Sequence, residues 1–234
     1  MIAGNFKGLI LMVGGLVMGL LLTGCSLANR QKSGGQPIET ELNLPAGKGD
    51  AFLYDARIYR DGRKNSVRLD VYRYADSLSV FARGYLGKGV LKGFIRGDSV
   101  LAYFPTEDQY FYGRLADILP GTCAAGTELE KLLVELFFRT PDEMQLNFED
   151  LYLTVVKESR KERIYRLTAR GCPESIELHY DLKEHCYLLE KIEYSNPDES
   201  LKFMAERRRQ KLNIDLPAEK KSVSIPETAT RIYP

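Results

Sequence analysis

From residue 51 onward the chain alternates apolar and polar side chains at period two, and turn-forming residues interrupt it at short intervals. Val67, Leu69 and Val71 fall on one side, with Arg68 and Asp70 on the other. Leu78, Val80 and Ala82 repeat the pattern. Strands are expected over 51–59, around 67–71 and 78–82, and over 90–96, 99–104 and 109–113. Their turns fall at 60–65, Ala75-Asp76, Gly97-Asp98 and Thr106–Asp108. Connections this short join antiparallel neighbours, because parallel strands need crossovers of roughly a dozen residues or more.

The alternation then breaks. Pro120 to Gly126 reads as a loop, and Thr127-Glu-Leu-Glu130 is a capping box. Leu129, Leu132, Leu133, Leu136 and Phe137 follow at helical spacing, which predicts a short amphipathic helix ending near Arg139, with Pro141 beyond it. Strands resume over 151–158, 163–170, 175–180, 187–194 and 200–211, and a last extended piece lies at Ser222–Ile225. One helix cannot flank both faces of a sheet of about eleven strands, but it can cover the mouth of a curved one. The expected fold is therefore mainly β with α: an incomplete antiparallel β-barrel of about eleven strands with a helical lid or plug. A β-sandwich is the alternative. No linker-like stretch splits the body, so 51–234 is read as a single domain.

The first residues are of another kind. Residues 1–24 hold one base, Lys7, and no acid; an apolar run from Gly8 to Leu22 leads into Leu22-Thr23-Gly24-Cys25. Such a segment reads as an export signal. The run is about 15 residues, short of the ~20 needed to span a bilayer. LTGC resembles the lipobox of bacterial lipoproteins. That resemblance implies cleavage before Cys25, diacylglycerol on its thiol and an acylated amino group, with no cofactor beyond these covalent acyl groups. It also implies residence in a bacterial envelope, lipid-anchored at the periplasmic face of the outer membrane because Ser26 rather than Asp follows the cysteine. Residues 25–50 form a polar tether whose Gly, Ser, Gln and Asn content does not support a core. Without Lys7 the chain has 33 − 1 = 32 bases against 32 acids, which argues against bulk nucleic-acid binding.

Catalytic and metal patterns are weak. There is no Gly-x-Ser-x-Gly elbow and no His-Glu-x-x-His, and the only histidines are His179 and His185. Ser175 or Cys172 could be drawn with His179 as a triad, but a strand sets Ser175 and His179 about 13 Å apart. His179, His185, Cys172 and Cys186 match no metal-ligand spacing. The reading is of a non-enzyme without a metal; an envelope hydrolase is the third choice. The runs Arg160–Arg163 and Arg207-Arg208-Arg209 read as solvated tips and outer strand faces, the second also as a candidate for anionic headgroups. The stretch 84–93, GYLGKGVLKG, lacks the spacing of a phosphate loop and joins strand to strand, so its glycines serve a hairpin through Gly87-Lys88-Gly89. Besides Cys25, three cysteines remain, Cys123, Cys172 and Cys186; three is odd, so at least one is free or pairs outside the chain. Cys172 and Cys186 flank the 175–180 strand at about 25 Å, too far to bridge, which leaves Cys123 as the better partner for either.

A lipobox followed by an antiparallel sheet with one helical interruption resembles the LolA/LolB-like superfamily of lipoprotein carriers and receptors. Leu86-Gly87 before a strand, then Gly97-Asp98-Ser99-Val100, is similar to the family's segment bearing an exposed apolar loop. The helix 127–138 before Thr140-Pro141 resembles its lid, and Lys211–Pro217 with Ser224–Glu227 and Arg231–Pro234 resembles its tail. The resemblance implies a half-barrel that binds acyl chains of lipoproteins or lipids and takes part in lipoprotein localisation and insertion. Leu69, Val71, Val80, Ala82, Val100 and Ala102 would line the cavity. Leu129, Leu133 and Phe137 would line the lid, and Leu86 would be the membrane wedge. The implied partners are acylated lipoproteins or lipids and a periplasmic carrier, the protein itself being a monomer. An envelope sensor or interaction lipoprotein of the same fold is the second reading.

Overall fold

The computed structural model describes residues 47–60, 62–97, 99–114, 136–137, 139–141, 151–169, 175–183, 186–195, 201–221 and 223–233. Period-two alternation becomes strands: β1 (Lys48–Arg60), β2 (Arg63–Tyr74), β3 (Ser77–Arg83), β4 (Gly89–Arg96), β5 (Ser99–Phe104), β6 (Gln109–Arg114), β7 (Leu151–Glu158), β8 (Glu162–Ala169), β9 (Ser175–Lys183), β10 (Cys186–Ser195), β11 (Leu201–Asp215) and the short β12 (Thr230–Arg231). They form one 12-stranded sheet in the order β12-β6-β5-β4-β3-β2-β1-β11-β10-β9-β8-β7. All neighbours are antiparallel except β12, which runs parallel to β6. A single continuous sheet replaces the sandwich alternative. The sheet is open, since β7 ends it on one side and β12 on the other.

Two strands dominate the centre. β1 pairs with β2, its neighbour in sequence, and with β11, from the far end of the chain. The two halves, β2–β6 and β7–β10, fan out from this seam. Inner rows run straight across the ladders: Tyr54 lies opposite Leu69, Leu69 opposite Ala82, and Ala82 opposite Leu91. A second row runs Phe52, Val71, Val80, Gly93, Ala102, Phe111. On the other half Ile176, Leu178, Tyr180, Leu189, Ile192, Phe203 and Ala205 are buried, and all of these join one core cluster. A flat sheet could not bring its two halves into one cluster, so the sheet curls around a shared concave face, an incomplete barrel.

The connection from β6 to β7 joins the two halves of the sheet. Within it Leu136 and Phe137 are described; both are buried and belong to the concave core. The Phe137 ring stacks on Phe52 at 5.6 Å and meets Tyr54 edge-on at 6.0 Å. Its carbonyl accepts the Leu189 amide at 3.4 Å. These two residues form a turn; the rest of the helix expected over 127–138 lies, but for Leu136 and Phe137, outside the described residues, as do Leu129 and Leu133.

Several turns are tighter than expected. The β1–β2 turn predicted over 60–65 shrinks to two residues, with Arg60 opposite Arg63 and Lys64 and Asn65 in the ladder. Gly62, at φ 76, supplies the left-handed residue such a hairpin needs. Asp181–Lys183 continue β9 and pair with β10 instead of forming its tip. The tail also differs. Val223–Pro226 joins no ladder, and Val223 instead lies on the outer face among Phe94, Leu101 and Tyr103. Upstream of it Lys221 sits 4.4 Å over the Tyr74 ring and Lys220 5.0 Å over Phe81. The tail therefore straps the convex face of β2–β6 before it adds β12.

Candidate functional site

The concave face gathers the residues expected to line a cavity. Leu69, Val71, Val80, Ala82, Val100, Ala102 and Phe137 are all buried and share one cluster. Their side chains come together because the strand registers put every odd residue of β2, and every even residue of β3 and β5, on the same face. Sequence reasoning listed only the first half of this face. Leu178, Tyr180, Leu189 and Phe203 complete it from β9, β10 and β11, and their alternation was as readable as that of β2.

The apolar face carries one buried polar cluster that the sequence reading missed. Arg207 was expected on a solvated outer face. Its side chain is only 6% exposed. The alternation that turns Phe203 and Ala205 inward carries Arg207 inward too, opposite Tyr54. Its guanidinium donates to the Leu189 carbonyl at 2.8 Å and forms an ion pair with Asp181. The Tyr54 hydroxyl donates to the same carbonyl, also at 2.8 Å. Burial pushes the Tyr54 phenol well above its ordinary value, against the lowering field of Arg207. The bulge between Leu53 and Tyr54 leaves Arg208 and Arg209 on the outer side, where Arg208 reaches Asp55 at 2.8 Å.

At one end of the curl lies the β3–β4 turn. Gly84 donates to the Lys88 carbonyl at 2.8 Å and Gly87 to the Gly84 carbonyl at 3.1 Å, closing a single 3-10 turn at Tyr85–Gly87. The left-handed residues are Leu86 (φ 58, ψ 21) and Gly87 (φ 74), not Gly89, which begins β4. The turn thus sits two residues earlier than the Gly87–Gly89 reading placed it. Its consequence falls on Leu86, which is 87% exposed. A branched apolar side chain in the left-handed region, and in water, has two costs and no local compensation. Beside it a groove of about 1000 Å³ is lined by residues of β1 and β2, by Arg83, Gly84, Leu86 and Gly87, and by Val90.

The remaining sequence candidates are dispersed. His179 stands on β9 with Nε2 3.7 Å from Glu177. Cys186 is exposed and its thiol is free, which removes it from pairing with Cys123 or Cys172. Cys25, Cys123, Cys172 and His185 lie outside the described residues. Across the sheet from Leu86's end, the edge strand β7 exposes Tyr152 at 50%, Val155 at 51% and Val156 at 45%.

No protein-family model matches the chain, and no curated protein matches it. Solved structures do. The chain is similar to an uncharacterised conserved protein from Thermus thermophilus, at 14% identity over 80% of this chain and 90% of that one, with a TM-score of 0.43. It is similar to a DUF1329 family protein from Desulfovibrio piger, at 9% identity over 76% and 90% of the two chains, TM-score 0.43. It is similar, finally, to a LolA superfamily protein from Nitrosomonas europaea, at 10% identity over 77% of this chain and 92% of that one, TM-score 0.34.

Proposed function

We propose that the protein holds acyl chains of lipoproteins, or similar amphiphiles, against its concave apolar face and releases them to the membrane that carries its own anchor at Cys25. The observation that carries this reading is Leu86, an apolar side chain kept 87% exposed on a left-handed backbone at the rim of the curl. Non-glycine residues held on a left-handed backbone cluster at functional sites, where the strain has a use. An acyl chain gains about 0.8 kcal/mol per buried CH₂, so release requires a second apolar phase, and Leu86 is placed to enter it first. In this reading the protein is a monomeric binding protein of the bacterial envelope, at the outer membrane, and it uses neither catalysis nor a cofactor. Its cargo arrives from a soluble carrier. Mass spectrometry of the signal-less protein, which carries no acyl groups of its own, should find co-purified acylated species; their absence would refute the cargo. Leu86→Glu should block insertion of lipoproteins into the membrane, and unchanged insertion would remove Leu86 from the mechanism.

A second reading rests on β7. Among the described residues no strand lies beside its outer edge, and Tyr152, Val155 and Val156 expose side chains on both faces, as in strands that accept a partner's strand. An interaction lipoprotein of the same fold would use that edge. Val155→Lys should then abolish partner recovery from envelope extracts while lipid content stays constant.

A further inference from the structure

The groove beside Leu86 has a composition that acyl binding does not call for. Its lining carries four cations, Arg57, Lys64, Arg68 and Arg83, against one acid, Asp55. The same lining includes Ala56, Ile58, Val67 and Val90. Ala56 and Ile58 belong to the concave core, and Val67 and Val90 lie against it. By strand parity Ala56, Ile58 and Val67 turn to the concave side and Arg57, Lys64 and Arg68 to the other, so the cations lie on the outer side of this rim and the exposed apolar side chain beside them is Leu86.

The cations are not neutralised in place. Asp55 is already engaged from outside the groove by Arg208 at 2.8 Å, and Arg68 stands 3.6 Å from it. Arg83 pairs at 2.5 Å with Asp70, also outside the groove. Counting Asp70, Arg208 and the Glu206 that Arg208 also reaches at 3.8 Å gives five cations against three acids, so a local excess of two remains. The side chains of Arg57 and Lys64 make no ion pair or hydrogen bond among the described residues, and neither does that of Lys88 in the turn itself. The two unpaired groove cations come from adjacent strands: Arg57 lies opposite Ser66, two residues along β2 from Lys64. On one strand face, residues two apart share a side.

We infer that this groove binds the phosphate of an anionic phospholipid headgroup, with Arg57 and Lys64 as its principal donors, Arg68 and Arg83 as supporting charges, and Leu86 entering the acyl layer beside it. The charge excess selects an anion. The exposed Leu86 beside the cations selects one that carries acyl chains. A free phosphate would use the cations and leave the exposed Leu86 without a role. The inference rests on the membrane-facing role proposed for this rim and specifies what the rim meets there.

The test uses the full-length chain held in neutral detergent. Dihexanoyl phosphatidylglycerol, dihexanoyl phosphatidylcholine and inorganic phosphate are titrated separately, with binding read by calorimetry. The phosphatidylglycerol is expected to bind about ten- to thirtyfold more tightly than the phosphatidylcholine, as two headgroup-facing cations imply. The double substitution Arg57→Gln with Lys64→Gln should erase that preference while the circular dichroism spectrum is unchanged. A single Lys202→Gln on β11, outside the groove, should leave it intact. Equal affinity for the two lipids would overturn the assignment, as would a preference that survives the double substitution. Inorganic phosphate competing as well as the anionic lipid would also overturn it, in favour of a free-anion site. Co-purified acyl species are measured on the signal-less protein. Their absence with an intact lipid preference fails the cargo reading alone; their presence without a preference fails the headgroup site alone.

Discussion

Replacing Leu86 with Asn should raise stability and lower function, and the two effects can be sized separately. A residue with a Cβ in the left-handed region costs about 1–2 kcal/mol relative to ordinary backbone, and Asn is among the side chains that tolerate it. Leu86 sits there at φ 58. Because the side chain is 87% exposed, truncating it forfeits only a small part of a buried leucine's value, roughly 0.3 kcal/mol. The net gain is about 1 kcal/mol, or some 2–4 °C in Tm for a domain of this size. Membrane engagement moves the other way. Full burial of a leucine is worth about 1.5–3 kcal/mol, so its loss should slow delivery of an acyl cargo to vesicles about 10- to 150-fold. Thermal unfolding by circular dichroism and transfer of a fluorescent acylated peptide to vesicles give the two readouts. A lower Tm would show that the turn is not strained at Leu86. Unchanged transfer with a higher Tm would show that the strain serves nothing at a membrane.

Other substitutions probe the core and its polar cluster. Phe137→Ala removes a ring stacked on Phe52 and edge-on to Tyr54, and should cost about 3–5 kcal/mol in urea unfolding. Arg207→Met removes the buried partner of Asp181 and leaves it only the exposed Lys183 at 3.0 Å; it should cost about 3 kcal/mol, while Arg207→Met with Asp181→Leu should recover most of it. If the double variant is no better than the single, the pair is not the source of the loss. The raised Tyr54 phenol gives a pH signature: its contribution is complete below the ordinary tyrosine value of about 10 and is lost as pH rises above it. Tyr54→Phe should flatten the alkaline fall of stability by up to one proton. Cys186 should react at once with a maleimide in the native protein, since its thiol is exposed and free.

Much of the concave face was legible because each inner row is set by parity alone. Once Val71 faces inward so does Leu69, and the two-residue turn at Ala75-Asp76 carries that parity to Val80 and Ala82. Arg207 was legible by the same rule and was missed because a run of three arginines reads as solvated; parity from Phe203 and Ala205 outweighed composition. The Tyr85–Gly87 turn could not be placed to the residue, because two glycines within three positions leave the register of the positive φ open. The pairing of β1 with β11 leaves no local trace at all. It is decided by the global order of the sheet.

That seam bears on how the chain can reach its fold. β1 to β6 are consecutive hairpins and can zip as they emerge, but the second edge of β1 waits for β11, so that Ala56 meets Ala205 only when nearly the whole chain is present. Closing a loop of that length is entropically slow, and until it closes β1 is a long strand with an unsatisfied edge. The early intermediate is then an N-terminal meander whose exposed side is a template for other chains. Shortening the chain before Leu201 would therefore do more than remove a strand: it would leave that template open for good.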